Sequence, residues 1–406
     1  GTDPNNYIWY SGKLWRAVSI NNEAKTTKLV TQWDISVISY NPENNTAFEG
    51  SYMEEWLNDE SVDGFLGNLR EPEKFIVMDA KWDATRDTAN LGSIQRPNGT
   101  TTVTAPVGLL NIYEYQSSNN GGTDGYLNNG AMWWTLTPYS TSDVRRVIYY
   151  GDVFNDSPAD AYGVRPSINL KSSVKIVDGD GTIDNPYRLN GDNDTNLSRT
   201  LLSTRYSGEY IKFGNDENNL YRIVSHENGT GTKITSAEPL KSSGTFIESE
   251  FGNTAIFSST NTIGAFLNGT YLTNYLDSEY SNMIEDSTTW YLGAVEDGAS
   301  YKLAKYTDIS MTSITTSTTS AKVGLLRLGE LMAGQFNRYD DNIAYSILTP
   351  SNSVSIRFVG SYGYSYGGKS PSMANKVRPS MNLKSNVIIT SGDGTKYNPF
   401  TVELGS

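Results

Sequence analysis

Along Gly163–Leu170 the chain alternates strictly. Val164, Pro166, Ile168 and Leu170 fall on one side, and Arg165, Ser167 and Asn169 on the other. A period of two predicts a strand with one buried face, and Pro166 suits a first residue or an edge. After Ser172-Ser173, "VKIV" opens another strand, "DGDGT" is a turn, and "NPYRL" leads into a closing strand that would return against the first strand. At the other end, "YIWYSGKLWRAVSI" (Tyr7–Ile20) reads as two strands around a glycine turn, a hairpin signal. Only short stretches carry a helical period. Tyr52, Met53, Trp56 and Leu57 sit at i, i+1, i+4 and i+5, and a second short helix opens near Val107.

These patterns occur twice. Val164-Arg165-Pro166 returns as Val377-Arg378-Pro379, 213 positions later (164 to 377), and Asn185-Pro186 returns as Asn398-Pro399 at the same offset. Tyr7–Ile20 faces Tyr210–His226, "APVGLLNIYEY" faces "AKVGLLRLGEL", and "MWWTLTP" faces "AYSILTP". "YMEEWLND" (Tyr52–Asp59) is paired with "YLTNYLDS" (Tyr271–Ser278) on its aromatic residues. A period this long fits a duplicated domain rather than a solenoid. The polar stretch Asn190–Thr200 holds the boundary, giving one copy over 1–192 and a second over 193–406. The expected class is α+β, one domain present in tandem.

Composition narrows the function. The 406 residues carry a net charge of −13, and only 19% are charged. No basic stripe is available to displace phosphate counterions, so nucleic acid is excluded as a partner, and an anionic membrane surface is disfavoured. No cysteine is present, which removes disulfides, thiolate metal sites and thiol nucleophiles. No run of eighteen apolar residues occurs, so direct membrane insertion of this stretch is not expected. The first and last residues read as cut ends of a longer protein. An acidic, Cys-free, Asn- and Thr-rich chain has the composition of exported Gram-positive proteins, and the expected location is the bacterial surface or the medium.

The ordered set "GKLWR", "VGLL…EY", "WW…TP" and "GVRPSINL…GDGT…NPY" resembles an uncharacterised domain of Gram-positive surface and secreted proteins. That domain is related in pattern to the C-type-lectin-like fold shared with formylglycine-generating enzymes. The resemblance covers most of both halves and is strongest in the last third of each. It implies two short helices flanking a small twisted antiparallel sheet, with a ligand face on loops between the aromatic motif and the final strands. The chain departs from that family in three ways. Tyr345-Ser346 replaces Trp133-Trp134, the Glu-Pro-Asn and Trp-Asn-Asp calcium triplets are absent, and so are the enzymes' cysteines.

Candidate ligand-binding residues lie in that interval: Tyr139, Tyr149 and Tyr150, with Phe154 and Tyr162 near them, and Tyr362, Tyr364 and Tyr366 in "SYGYSYG". Tyrosine interleaved with small polar residues suits an adaptable binding surface, although an alternating row can also pack on a core. Asp178 and Asp180 of "DGDGTIDN" are candidate calcium ligands. The loop lacks a closing bidentate Glu, and a glycine turn accounts for both copies. Arg165 and Arg378 are expected to brace the sheet against a partly buried carboxylate. His226, the one histidine, reads as a surface residue, and "SITTSTTS" (Ser313–Ser320) reads as an exposed loop. Carboxylate pairs such as Asp83 with Asp87, or Asp340 with Asp341, are what a hydrolase would need. No nucleophile or phosphate-loop motif accompanies them, and a non-enzymatic role is expected. The leading expectation is an adhesin-like binding module that recognises a glycan or a surface protein through its aromatic loops. The alternative is a structural spacer without a ligand.

Overall fold

The computed structural model describes residues 3–87, 99–118, 123–190, 197–226, 231–292, 318–336, 343–360 and 368–406. The chain divides into two compact units between Asp192 and Asn193. Among the described residues strands make up 36% and helices 13%, which overturns the α+β, C-type-lectin-like expectation. In the described part of each unit the core lies between β-sheets. The helical patterns do form helices, but the longest described α-helices, Tyr52–Asn58 and Thr262–Asn268, have seven residues. At 1.5 Å per residue each is roughly 10 Å long, too short to cover a sheet.

In the first unit a six-stranded sheet runs in the order Ser167–Leu170, Thr26–Thr31, Lys13–Asn21, Tyr7–Tyr10, Tyr187–Leu189, Ile176–Asp178. A five-stranded sheet runs Ser36–Ser39, Ala161–Val164, Trp133–Pro138, Val144–Val147, Val153–Asp156. Ser11 and Gly12, both at positive φ (54° and 75°), make the tight turn of the opening hairpin. The closing strand does return to the first, pairing in parallel at Ile8–Tyr187 and Trp9–Arg188. Val30 from the larger sheet, Trp133, Val147 and Val153 from the smaller, and Ile112 and Tyr115 from a short helix form one buried cluster.

The phrase read as one strand is in fact two. Ala161–Val164 belongs to the five-stranded sheet and Ser167–Leu170 to the six-stranded one, with Arg165-Pro166 as the crossing between them. The alternation continues through the crossing, so the sequence alone hides it. The second unit repeats the device: Asn375–Lys376 pairs in one five-stranded sheet and Pro379–Asn382 in the other.

The second unit's sheets run Tyr210–Lys212, Leu220–Ser225, Lys233–Ser236, Pro379–Asn382, Gly324–Leu325, and Glu248–Ser249, Asn375–Lys376, Tyr345–Asn352, Ser355–Val359, Gly368–Lys369. Part of the stretch expected as an exposed loop is a strand, Thr318–Ala321, paired with Thr288–Tyr291. One pairing between the halves also changes. Asn58 donates to the Val107 carbonyl and accepts from the Val107 N–H, and Asn268 makes the same two bonds with Val323. Asn58 ends the helix capped by Ser51, and Asn268 ends the helix capped by Asn261. The counterpart of Tyr52–Asn58 is therefore Thr262–Asn268 rather than Tyr271–Ser278. Tyr271 is instead a core residue whose hydroxyl meets that of Tyr221.

Candidate functional site

The smaller sheet of the first unit positions the predicted aromatic residues. On its inner face Trp133 packs at right angles on Tyr115, 5.2 Å away. On the other face the register sets Trp134 beside Arg146 and Arg146 beside Phe154. Trp134 is fully buried, its indole N–H donating to the Ile38 carbonyl, so both adjacent tryptophans are core.

Beyond Val144–Val147 the chain makes a tight turn. The Gly151 N–H bonds the Ile148 carbonyl, the Ile148 N–H bonds the Asp152 carbonyl, and the buried Tyr115 hydroxyl donates to the Gly151 carbonyl at 2.6 Å. Tyr149 and Tyr150 stand on this braced turn, 45% and 47% exposed, with rings edge to face at 4.9 Å. Phe154, on the next strand, is also exposed. Beside it, Arg146 lies 4.3 Å over the Tyr162 ring and pairs with Asp156 at 2.6 Å. Tyr162 donates its hydroxyl to the same carboxylate, and burial, reinforced by that bond, raises its pKa so that it remains a donor. Tyr139 stands at the opposite end of Val144–Val147, four residues or roughly 13 Å away along the strand. Its ring is stacked under the Arg145 guanidinium at 4.0 Å, and Arg145 is bound to Asp87 at 2.7 Å. The structure thus brings Tyr149 and Tyr150 together and separates Tyr139 from them. Tyr362, Tyr364 and Tyr366 lie outside the described residues, as do Asp340 and Asp341.

The remaining candidates are built into the framework. Asp180 accepts from the Thr182 N–H and hydroxyl, and those bonds lower its pKa. Asp393 accepts the same two hydrogen bonds from Thr395 in the second unit. Asp178 accepts from the Gly179 N–H and lies 3.9 Å from Arg188. Gly179 and Gly392 hold φ of +83° and +89°, and a Cβ on either would lie 2.1 Å from a proline carbonyl. These features are those of a turn closing on itself, and among the described residues no three Asp, Glu or His side chains gather as a metal site would need. Asp83 turns back on Thr85, and Asp87 is taken by Arg145.

Arg165 and Arg378 sit at the sheet crossings, buried, and both bond backbone carbonyls. Arg165 donates to the Thr31 carbonyl at 2.8 Å and stacks on Trp133 at 4.7 Å. Arg378 donates to the Ser236 carbonyl and the Tyr345 hydroxyl. His226 is not a surface residue. It is partly buried, donating through Nε2 to the Arg205 carbonyl at 2.6 Å and accepting at Nδ1 from the Thr232 hydroxyl at 3.1 Å. Burial lowers its pKa.

A lysine–glutamate–tryptophan cluster, present in both units, escaped the sequence reading. Lys28 pairs with Glu114 and lies 4.8 Å over Trp82, whose indole N–H donates to the Ala105 carbonyl. Lys233 pairs with Glu330 and lies 5.2 Å from Trp290, whose indole N–H donates to the Ala321 carbonyl. Each glutamate also caps its helix, at Asn111 in one unit and Arg327 in the other. The signal was the pair "TKLVT" and "TKITS", Thr27–Thr31 and Thr232–Ser236.

Compared with known proteins, residues 25–172 match the family model described as "Domain of unknown function (DUF6273)". The match lies within the first unit and spans the aromatic turns and the Lys28 cluster. No curated protein and no solved structure matches the chain, so nothing in these comparisons supports a likeness to C-type lectins or formylglycine-generating enzymes.

Proposed function

We propose that the chain is a recognition module of a bacterial surface or secreted protein, and that its first unit contacts a glycan or a protein ligand through the turn bearing Tyr149 and Tyr150. The observation that carries this reading is the contrast between those two rings and the turn beneath them. Two adjacent aromatic side chains are nearly half exposed while their backbone is fixed by the buried Tyr115 hydroxyl. Folding gains little from leaving such rings in water, whereas a held, exposed tyrosine pair offers amphipathic contact area at low entropic cost. Phe154 and the Arg146–Asp156 pair extend the surface with one apolar and two charged groups. The acidic, Cys-free composition supports an exported setting and a partner other than nucleic acid.

The test is a glycan-array and cell-binding screen of the whole chain beside a Tyr149→Ala/Tyr150→Ala variant. Because the rings are exposed, the variant is expected to melt within about 0.5 kcal/mol of the parent. Binding that the variant loses supports the module. Binding that survives unchanged moves the ligand elsewhere, and no binding by folded protein leaves the spacer.

A further inference from the structure

Beside the Lys28 cluster, a cleft of about 420 Å³ opens in the first unit, lined by Ser19, Ile20, Asn21, Asn22, Thr26, Lys28, Lys81 and Asn169. This volume falls within the size of small-molecule sites, roughly 300–1,000 Å³. The lining is organised by the sheet. Ser19, Lys28 and Asn169 are cross-strand neighbours on three adjacent strands, and Asn21 and Thr26 form a rung further out. Opposite them stands Lys81, on the ribbon Lys81–Asp83, its ammonium 2.7 Å from the Thr104 hydroxyl. The exposed Ile20 adds one apolar surface.

The second unit carries the same trio, Ser225, Lys233 and Asn382, in the same register. There the strand ends at Ser225, whereas its counterpart in the first unit continues past Ser19 to Asn21. Lys81 aligns with Thr289, each one residue before the cluster's tryptophan. The Lys233 side chain is 3% exposed against 17% for Lys28. A strand carried on to Asn21 and one added lysine thus go with an open polar cleft in the first unit, whereas Lys233 is buried in the second.

We propose that this cleft binds a small carboxylate-bearing polyol, with a uronic acid unit as the minimal case. Glu114 already matches the Lys28 charge, so Lys81 supplies the cation for a carboxylate. Asn21 Oδ1 already accepts from the Glu23 and Ala24 N–H groups, so Asn21 contributes its amide N–H, while Asn22, Asn169, Ser19 and Thr26 offer donors and acceptors for vicinal hydroxyls. The site is separate from the Tyr149–Tyr150 turn and stands or falls independently of it.

The experiment is a titration of the full chain with glucuronate, glucose, acetate and inorganic phosphate, read on the side-chain amide NMR signals of Asn21, Asn22 and Asn169. Glucuronate is expected to shift all three saturably and to bind about tenfold more tightly than glucose or acetate. The exposed Lys81→Ala change should weaken it about tenfold, while Tyr149→Ala/Tyr150→Ala leaves it unchanged. The proposal is overturned if glucuronate produces no saturable shift, if acetate or phosphate binds as tightly, or if Lys81→Ala binds like the parent.

Discussion

Lys28 and Lys233 occupy equivalent rungs of corresponding sheets in the two units, each beside a glutamate and above a tryptophan, yet they live in different surroundings. Lys28 and Glu114 are partly solvated, and a neutral Asn111 begins the helix. Lys233 and Glu330 are sealed, and Arg327 in place of Asn111 brings a second cation to 3.0 Å from the same carboxylate. One scaffold has therefore been used in two ways. In the first unit the cluster borders a polar cleft, and in the second it is an internal charge network in which each member depends on the others.

The largest effect expected from this difference comes from neutralising the two glutamates in turn. Glu330→Gln removes the carboxylate that pairs with both buried cations, Lys233 and Arg327, at about 3–5 kcal/mol. Glu114→Gln breaks a partly solvated pair and should cost only about 1 kcal/mol. Hydrogen exchange would report each change locally, on Lys233–Ser236 for the first and Thr26–Thr31 for the second. Equal losses would mean that the two clusters do the same work and that the contrast in burial has no energetic content.

A second pair of substitutions tests what the units share. Gly179→Ala and Gly392→Ala each force a side chain into positive φ and against a proline carbonyl. Losses of about 1–3 kcal/mol are expected, alike in both units. Unequal melting shifts would show that the duplicated turn is no longer equivalent in the two.

The duplication itself was readable because the Val-Arg-Pro crossing and the Gly-Asp-Gly-Thr turn are fixed by backbone geometry and tolerate few letters. The crossing's role was not readable. The alternation of Val164, Pro166 and Ile168 runs through Arg165 without interruption, so two strands in two sheets looked like one. The helix pairing failed for a related reason. Aromatic residues drew Tyr52 onto Tyr271, whereas the residue that defines the position is Asn58, through two bonds to the Val107 backbone 49 residues later. For the aromatic candidates, residue type alone could not tell Tyr149, exposed and packed edge to face on Tyr150, from Tyr139, exposed but stacked under Arg145. The Lys–Glu–Trp cluster assembles three distant segments, and the repeated Thr-Lys pattern marks only the lysine's strand.

The smallest expected effect also separates the units most cleanly, because the chain's single histidine is in the second. His226 is held neutral between the Arg205 carbonyl and the Thr232 hydroxyl, and burial depresses its pKa below the ordinary 6.5. Above that ordinary value both folded and unfolded chains carry a neutral imidazole, and pH has no leverage through this group. As pH falls below about 6.5 the unfolded chain takes up the proton first, so stability declines until the folded pKa is reached and then stays lowered. The second unit should therefore loosen between pH 7 and pH 5 while the first holds. Of the eight tryptophans only Trp290 lies in the second unit, and hydrogen exchange on its strand, Thr288–Tyr291, reports the right half. His226→Gln keeps a donor for the Arg205 carbonyl without a titrating ring and should flatten the dependence. A parent chain whose second unit is as stable at pH 5 as at pH 7 would show that the buried imidazole is not what distinguishes the two units in acid.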